Sequence, residues 1–361
     1  MSMAKAGGPL GLPWWCWAAP LAALLLTALK LAHVAMPVWL LAPVLIAAVL
    51  AAVHHAEVIA HRIGEPFGTL VLALAVTTIE VALIVSLMIE GGPGATALAR
   101  DTVFAAVMII LNGIVGLCLL VGGLRHREQS FNLSGAGASL TVLAALTVLT
   151  MLLPNVTVTT PGPTYAPSQL AFVAVVSIIL YLTFVFVQTV RHRDFFLSAD
   201  DTHEHAPPPP ARTAVAAAAL LVAALVGVVM IGKALAPSIE AAVKAAGAPI
   251  TLVGVIIAAI VLMPEGLAAV RAARANRLQD ALNLALGSAL ASIGLTIPAV
   301  AVVSLVMGFP LTLGIGDEDI VLLGLSLFLA VVSLQTGRTT ILNGVVHLVI
   351  FATYLFIVVV P

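Results

Sequence analysis

Runs of about 20 apolar residues recur along the whole chain and set the class of fold. A run of this length crosses the hydrocarbon core of a bilayer as an α-helix, because each helical residue rises by about 1.5 Å. Hydrophobic residues make up 62% of the 361 residues, charged residues make up 9%, and the mean hydropathy is +1.19. The ten-residue alternation of polar and apolar positions that marks a transmembrane β-barrel is absent. The sequence therefore predicts an all-α polytopic membrane protein.

Eleven apolar segments are long enough to be membrane spans. They cover residues 14–32, 36–53, 67–90, 102–123, 138–153, 169–190, 213–236, 249–270, 281–307, 319–335 and 339–360. The first segment follows Lys5 and resembles a secretory signal, but no small-residue cleavage site follows it. We therefore expect eleven transmembrane helices.

Basic residues are distributed unequally between the two sides that eleven spans define. Eleven of the 15 lysine and arginine residues fall on the side of the N-terminus. The four on the opposite side are Lys30, Arg100, Lys233 and Lys244. Cytoplasmic loops of membrane proteins carry the excess of basic residues, so the N-terminus is predicted to be cytoplasmic and the C-terminus outside. A bacterial inner membrane is the expected location.

The most polar stretch, residues 191–212, separates two sets of five spans. It contains Asp-Asp-Thr-His-Glu-His at 200–205 and four prolines at 207–210, a composition typical of a mobile linker. The predicted domains are an extra N-terminal helix in 1–35, a first five-helix repeat in 36–190, a cytoplasmic linker in 191–212 and a second repeat in 213–361. An odd number of spans per repeat inverts one repeat relative to the other. Inverted repeats are typical of secondary transporters, whose ion site lies at the repeat interface.

Two glutamates, Glu80 and Glu265, lie inside spans, each in the second span of its repeat. A carboxylate at membrane depth costs roughly 2.5–3.5 kcal/mol, which indicates a function such as cation binding or proton transfer. Two carboxylates in a low-dielectric cavity favour protonation, whereas a hard cation such as Ca²⁺ favours their charged forms. We therefore predict one shared site, formed by Glu80 and Glu265, at which protons and a metal cation compete. The alternative is two buried glutamates that only form hydrogen bonds to neighbouring helices.

Polar residues near these glutamates are candidates for further cation ligands. Thr77 lies one helical turn before Glu80, Thr78 is its neighbour, and Asn112 and Ser288 lie in the spans that follow the two glutamates. For each of them, a hydrogen bond within the helix bundle is an equally good interpretation. The wider set of candidate positions is Ser292, Asn283, Glu57, His54 and His61.

His54, Glu57 and His61 share one face at the cytoplasmic end of the second span. One interpretation is a transition-metal or pH-sensing site, and the other is a polar helix end at the level of the lipid headgroups. His347, alone in the last span, is interpreted as a hydrogen-bonded packing residue.

An enzyme is the rival class of function, because residues 314–317 read Gly-Ile-Gly-Asp, which matches a motif of intramembrane aspartyl proteases. Asp317 is followed by two acidic residues at a predicted outer loop, and no span offers a Tyr-Asp partner. Zinc-protease and serine-hydrolase signatures are also absent. Cys16 and Cys118 lack metal-ligand spacing, and no basic stripe with aromatic residues indicates nucleic-acid binding. No enzyme activity is therefore expected.

The chain resembles the ChaA-type calcium/proton antiporters of the cation/calcium exchanger superfamily in four stretches. They are residues 64–68 (Gly-Glu-Pro-Phe-Gly), 77–84 (Thr-Thr-Ile-Glu-Val-Ala-Leu-Ile), 263–265 (Met-Pro-Glu) and 281–288 (Ala-Leu-Asn-Leu-Ala-Leu-Gly-Ser). The resemblance implies one extra helix plus two inverted sets of five. It also implies that Glu80 and Glu265 are the shared cation and proton site, with Asn112 and Ser288 as the polar positions of the following spans.

The predicted function is therefore secondary antiport. Cytoplasmic Ca²⁺, or Na⁺ or K⁺, is expected to leave in exchange for external protons by alternating access, with no cofactor. The expected partners are the lipid bilayer, the transported cations and protons, and a homo-oligomer is compatible with the sequence. A passive cation channel is the alternative from another class of membrane protein.

Overall fold

The computed structural model describes residues 9–34, 36–64, 67–91, 95–197 and 208–360. Lys5, the linker residues 200–205, Pro207, and Glu65 and Pro66 of the antiporter-like motif lie outside the described residues. Within the described ranges the chain forms eleven long helices, which confirms the predicted fold class. They are α1 (Trp14–Leu31), α2 (Val38–Ile63), α3 (Phe67–Glu90), α4 (Leu98–His126), α5 (Leu133–Asn155), α6 (Pro167–Arg191), α7 (Ala211–Ala245), α8 (Thr251–Arg274), α9 (Leu278–Met307), α10 (Asp317–Leu334) and α11 (Ile341–Val359).

Most of these helices are long and apolar enough to cross a membrane. In the part of the chain that the structure describes, nine of them meet both conditions. The other two are α3, which is apolar over Ala73–Ile89, and α10, which carries Asp317, Glu318 and Asp319 in its first turn. The chain is therefore a multi-pass membrane protein.

Two helices extend well beyond their apolar segments. Helix α2 continues to Ile63, ten residues past the predicted end at 53, and α7 continues to Ala245 rather than 236. Hydropathy falls where polar residues such as His54 and Glu240 begin, but these residues are compatible with a helix. The backbone therefore stays helical after the apolar run has ended.

Several helices contain a turn of π-helix. These turns are Ile109–Ile114 in α4, Val148–Leu152 in α5, Val187–Arg191 in α6 and Ser292–Thr296 in α9. The shorter elements are 3₁₀ turns at Pro9–Gly11, Leu153–Asn155 and Arg193–Phe195, and two strands, β1 (Gln129–Ser130) and β2 (Arg338–Thr339). Helices α4 and α9 are the third helices of the two predicted repeats, and π turns often mark functional positions.

Contacts within the chain define two compact units. Unit 1 is Met1–Glu90 with Glu204–Ala242, and unit 2 is Gly91–His203 with Val243–Pro361. Unit 1 therefore contains α1, α2, α3 and most of α7, whereas unit 2 contains the remaining helices. Each unit takes segments from both predicted repeats.

In unit 1, glycines of α7 allow close helix contacts. A Cβ at Gly227 would lie 2.5 Å from the Cβ of Ala23 on α1, and Gly232 faces the side chain of Leu83 on α3. Because Leu83 lies one turn after Glu80, this contact fixes α7 beside the part of α3 that carries the glutamate.

Helix α4 forms the core of unit 2. Every residue from Thr102 to Gly116 is buried. Helix α8 approaches it at Gly254, where a Cβ would lie 3.1 Å from the backbone of Asp101. Helix α11 approaches it at Gly344, where a Cβ would lie 2.8 Å from the Cα of Leu120. Glycines therefore bring three helices to backbone contact, as is common between membrane helices.

Loops that were predicted on the cytoplasmic side contact one another in unit 2. Strand β1, which follows α4, pairs antiparallel with β2, which follows α10. The Nε2 atom of Gln129 donates to the carbonyl oxygen of Ala273 near the end of α8, at 2.9 Å. The Nδ2 atom of Asn283 donates to the carbonyl oxygen of Phe196, at 2.5 Å. The first residues of the 191–212 segment are therefore folded, with Phe196 buried.

Loops that were predicted on the outer side also contact one another. The backbone N–H of Thr312 donates to the carbonyl oxygen of Thr96 at 3.0 Å, and that of Gly314 donates to Pro163 at 3.0 Å. Arg100 donates to the carbonyl oxygen of Gly314 at 3.0 Å. Eleven spans place successive loops on alternating sides of the membrane, and the contacts among these loops agree with that grouping.

Candidate cation and proton site

Helix α3 places Glu80 in the interior of unit 1. The side chain is 3% exposed, and Thr77, one turn earlier on the same face, is 5% exposed. Thr78 lies on an exposed face instead, where its hydroxyl donates to the carbonyl oxygen of Leu74 at 2.6 Å. The structure thus separates the two threonines, because only Thr77 shares the buried face of the glutamate.

Helix α8 places Glu265 in the interior of unit 2. Glu265 is 6% exposed, and Val261 and Ala269, one turn before and after it, are also buried. The helix is continuous through Pro264, although this residue has no N–H for the carbonyl oxygen of Ile260. The next residue, Gly266, faces Ile114 of the α4 π turn, with a Cβ-to-Cδ1 separation of 3.2 Å. The glutamate therefore lies on the part of α8 that packs against this π turn.

Asn112 lies within that π turn and joins three helices of unit 2. It is fully buried. Its Nδ2 atom donates to Ser326 Oγ of α10 at 2.8 Å, and its Oδ1 atom lies 3.2 Å from His347 Nδ1 of α11. On the other side of the ring, His347 Nε2 lies 2.8 Å from Ser333 Oγ. The predicted ligand position is thus part of a buried polar network, and His347 is hydrogen-bonded as expected.

Helix α9 contributes two serines near its π turn. Ser292 is the first residue of the turn and is buried, whereas Ser288, one helical turn earlier, is half-buried. Helices α4, α8 and α9 contact one another, so Asn112, Glu265 and Ser292 lie on neighbouring helices of unit 2. Glu80 and Thr77 belong to unit 1.

Asn283 lies nearer the start of α9 and has another role in the structure. Its Oδ1 atom accepts from Gln279 Nε2 at 2.9 Å, while its Nδ2 atom donates to the carbonyl oxygen of Phe196. The Nδ2 end of its amide therefore holds the segment that follows α6, while the Oδ1 end is hydrogen-bonded within α9.

His54, Glu57 and His61 lie near the end of helix α2. Glu57 and His61 are exposed, and His54 Nδ1 lies 3.9 Å from Glu57 Oε2. No group of three His, Cys, Asp or Glu side chains that could hold a metal ion occurs among the described residues. The interpretation as a transition-metal site is therefore not supported.

The residues that resemble a protease motif form a loop contact. Gly314 lies against Asn155 and Pro163, where a side chain has no room, and Asn155 donates to the carbonyl oxygen of Ile315 at 2.8 Å. Asp317 is exposed and begins α10. Negative charge is favourable at that helix terminus, so the acidic residues have a structural explanation.

Ser326 and Ser333, which contact Asn112 and His347, were not among the predicted site residues. The two serines lie seven residues apart in an otherwise apolar part of α10. A spacing of two helical turns places them on one face, and this spacing was the available signal. Their partners on α4 and α11 could not be read from the local sequence.

The comparisons with known proteins define the class of this protein. The family model described as sodium/calcium exchanger protein matches residues 34–190 and again residues 216–360. The chain therefore belongs to the sodium/calcium exchanger family, a family of cation antiporters rather than enzymes. The predicted relation to the cation/calcium exchanger superfamily is confirmed.

Two relatives cover most of the chain. It is 48% identical over 360 residues to the putative ionic transporter y4hA of Sinorhizobium fredii (strain NBRC 101917 / NGR234), covering 97% of both chains. It is 35% identical over 308 residues to the sodium-potassium/proton antiporter ChaA of Escherichia coli (strain K12), covering 84% of this chain and 83% of the relative.

Two solved structures share the fold. Native YfkE superposes with a TM-score of 0.72 at 21% identity, covering 96% of this chain and all of the other. The H⁺/Ca²⁺ exchanger CAX superposes with a TM-score of 0.71 at 15% identity, covering 94% of this chain and 87% of the other. At this level of identity the similarity describes the fold alone.

Proposed function

We propose that this protein exchanges cytoplasmic Ca²⁺, or alternatively Na⁺ or K⁺, for external protons by alternating access. One observation carries the proposal: Glu80 and Glu265, each in the second helix of its predicted repeat, are both buried in helices of a membrane protein. A buried carboxylate at membrane depth is costly unless it binds a proton or a cation. The family membership supports the same class of transport.

The proposed mechanism depends on competition at one shared site. When Glu80 and Glu265 are deprotonated, their two negative charges and oxygen ligands suit a divalent hard cation. When they are protonated, the charge that attracts the cation is lost. The cation and proton fluxes are coupled if the site changes its access from one side of the membrane to the other only when it is metal-loaded or protonated, and not when it is empty. The apparent KM for the cation should therefore rise as the pH falls.

Other side chains are proposed as additional ligands. Thr77 is included because it shares the buried face of Glu80, and Ser288, Ser292 and the oxygen of Asn112 are included because their helices contact that of Glu265. Thr78 is a weaker candidate, since it lies on an exposed position of α3 and not on the buried face that carries Thr77 and Glu80. No resident cofactor is needed, because the cation is the cargo.

The choice of cation follows from charge, and relatives give a second candidate. Two carboxylates balance one divalent ion, which favours Ca²⁺. The ChaA relative is named for sodium, potassium and protons. Both kinds of cation therefore belong in the assay. We also propose that the protein lies in a bacterial inner membrane with its N-terminus in the cytoplasm, on the basis of its basic residues.

The test uses purified protein in liposomes with a pH-sensitive dye inside. Pulses of Ca²⁺, Na⁺ and K⁺ should each be compared for the proton movement that they drive. The variants Glu80→Gln and Glu265→Gln should abolish this movement, because the amide neither ionises nor balances the cation charge. Glu128→Gln is the matched control, since Glu128 is an exposed loop residue.

Two outcomes would overturn the proposal. Persistent exchange in both glutamine variants would exclude the shared glutamate site. Cation flux that cannot move protons against their gradient would indicate a passive channel instead. Equal amounts of each variant in the liposomes must be verified by gel electrophoresis.

A further inference from the structure

Helices α4 and α8 lie side by side, run in the same direction and end at the same level. Near their first turns, a Cβ at Gly254 of α8 would lie 3.1 Å from the backbone of Asp101 of α4. At their last turns, the Nε2 atom of His126 of α4 lies 3.1 Å from the carbonyl oxygen of Arg274 of α8. The C-terminal ends of the two helices therefore meet at one place, on the predicted cytoplasmic side of unit 2.

Four arginines, which together we call the arginine site, occupy these two helix ends. They are Arg125 and Arg127 at the end of α4, and Arg271 and Arg274 at the end of α8, and all four are exposed. The carboxylates of Glu128 and Asp280, which are close in sequence, lie within ion-pair distance of other arginines. Within the described ranges, none of the four forms an ion pair. The described residues thus gather four positive charges and supply no carboxylate to balance them.

The backbone of the arginine site is strained at Arg127. This residue has a φ of 68° and a ψ of −61°, and the N–H of Glu128 donates to the carbonyl oxygen of His126 at 2.9 Å. These values define a γ-turn with positive φ, which is the rare and strained form of this turn. Glycine adopts positive φ without a steric cost, and strained residues are concentrated at binding sites. An arginine at a position that suits glycine therefore indicates a use for its side chain.

Exposed leucines adjoin the arginine site on its membrane side. Leu124 is 66% exposed and directly precedes Arg125, and Leu267 is 44% exposed and lies one helical turn before Arg271. On helices that cross a membrane, such leucines face the acyl chains of lipids. The arginines therefore lie where the apolar surface of α4 and α8 ends, which is the level of the lipid phosphates.

We propose that the arginine site binds the phosphate of an anionic phospholipid, whose acyl chains contact Leu124 and Leu267. A guanidinium group forms two parallel hydrogen bonds to a phosphate, and basic pockets between membrane helices on the cytoplasmic side bind anionic headgroups. The alternative is that these charges only orient the protein in the membrane or balance the helix dipoles. Both of those roles require positive charge alone, so lysine would serve equally well.

Native mass spectrometry of the purified protein in mild detergent tests which ligand binds. The probe is dioleoylphosphatidylglycerol, which should be retained as a discrete complex. Dioleoylphosphatidylcholine has the same chains and a phosphate but no net charge, and it should be retained at least about fivefold less, the effect of one charge near an anionic surface. Glycerol 3-phosphate carries the phosphate without acyl chains and should not be retained. Equal retention of the two lipids, or retention of glycerol 3-phosphate, would overturn the proposal.

Paired substitutions locate the site. Arg271→Gln combined with Arg274→Gln should weaken the affinity for phosphatidylglycerol by about 25-fold, or about fivefold for each charge. The lysine pair, Arg271→Lys with Arg274→Lys, keeps the charge and should still weaken the affinity severalfold, because an ammonium group lacks the planar fork. Arg191→Gln with Arg193→Gln is the matched control, because it removes the same charge from two exposed arginines after α6 and should leave the affinity unchanged.

Arg127→Gly should change two properties in opposite directions. Without lipid, the variant should withstand a higher temperature before its monodisperse peak is lost, because glycine relieves the strained turn. Its affinity for phosphatidylglycerol should nevertheless fall about fivefold. An unchanged affinity in the lysine pair, or an equal loss in the control pair, would show that diffuse charge is sufficient and would overturn the proposal. These results do not depend on transport, so they are independent of the proposed antiport.

Discussion

The Nε2 atom of His55 lies 2.9 Å from the carbonyl oxygen of Cys16, the carbonyl that Pro20 leaves without its intrahelical donor. Residue 20 would normally supply the N–H for this oxygen, and proline has none. His55 and Cys16 are both fully buried in unit 1. The imidazole thus satisfies a helix defect in α1 from the neighbouring helix α2.

His55→Ala should therefore loosen α1. A buried carbonyl oxygen left without a donor costs about 1–3 kcal/mol, so the midpoint of thermal unfolding should fall. All four tryptophans of the chain, Trp14, Trp15, Trp17 and Trp39, lie in α1 and α2. Intrinsic tryptophan fluorescence during heating in detergent therefore reports on this pair of helices.

A second substitution in the same pair tests the cause. Pro20→Ala supplies a backbone N–H to Cys16, so His55→Ala should be much less destabilising in that background. An equal loss of stability in both backgrounds would show that the hydrogen bond is not responsible.

Substitution of Gly344 should destabilise unit 2. A Cβ at this position would lie 2.8 Å from the Cα of Leu120, and backbone cannot move aside easily. We expect Gly344→Ala to reduce the free energy of unfolding by about 1–3 kcal/mol, the usual effect of overpacking. When samples are heated and then run on size-exclusion chromatography, the monodisperse peak of this variant should disappear at a lower temperature. Gly324→Ala on α10 is the control, because no atom lies within 4 Å of its Cβ position. A loss of stability in the control alone would contradict this explanation.

The two threonines beside Glu80 should differ in transport. Thr77→Val removes a hydroxyl from the buried face of α3, and we expect a rise in the apparent KM for Ca²⁺ of roughly fivefold, which corresponds to about 1 kcal/mol. Thr78→Val removes a hydroxyl that bonds only within its helix, so the KM should not change. Liposome transport measures both. The reverse order of effects would exclude Thr77 as a ligand.

Asn283 should protect the segment after α6 from cleavage by a protease. Its amide holds the carbonyl oxygen of Phe196, and Arg193 lies exposed just before it. In Asn283→Ala this anchor is lost, so trypsin should cleave after Arg193 several-fold faster in detergent. Mass spectrometry of the fragments measures the rate at this site. An unchanged rate would mean that the buried ring of Phe196 holds the segment alone.

The number of helices and the grouping of loops could be predicted because they depend on local properties. Apolar length identifies each span, and the alternation of spans divides the loops into two groups. The unequal distribution of basic residues predicts which group is cytoplasmic. The contacts of Gln129 with Ala273 and of Thr312 with Thr96 agree with that grouping. The true end of α2 at Ile63 could not be predicted, since hydropathy ends at His54 while the helix continues.

The candidate site could be predicted only in part. Glu80 and Glu265 stand out because a charged group within an apolar span is exceptional. The roles of His347 and Ser326 depend on contacts between residues more than 200 positions apart, which one sequence does not reveal. The different faces of Thr77 and Thr78 depend on the helical phase of α3. Local sequence therefore identified the charged residues within the spans, and the structure supplied the partners of Asn112.

The π turn in α4 changes how this helix must be read in labelling experiments. One additional residue in a turn rotates the following part of the helix by about 100° relative to an uninterrupted α-helix. A helical wheel drawn from the Leu98 end therefore assigns the wrong orientation to residues beyond Ile114. Cysteine scanning or spin labelling of α4 requires two separate wheels, one for each side of the turn.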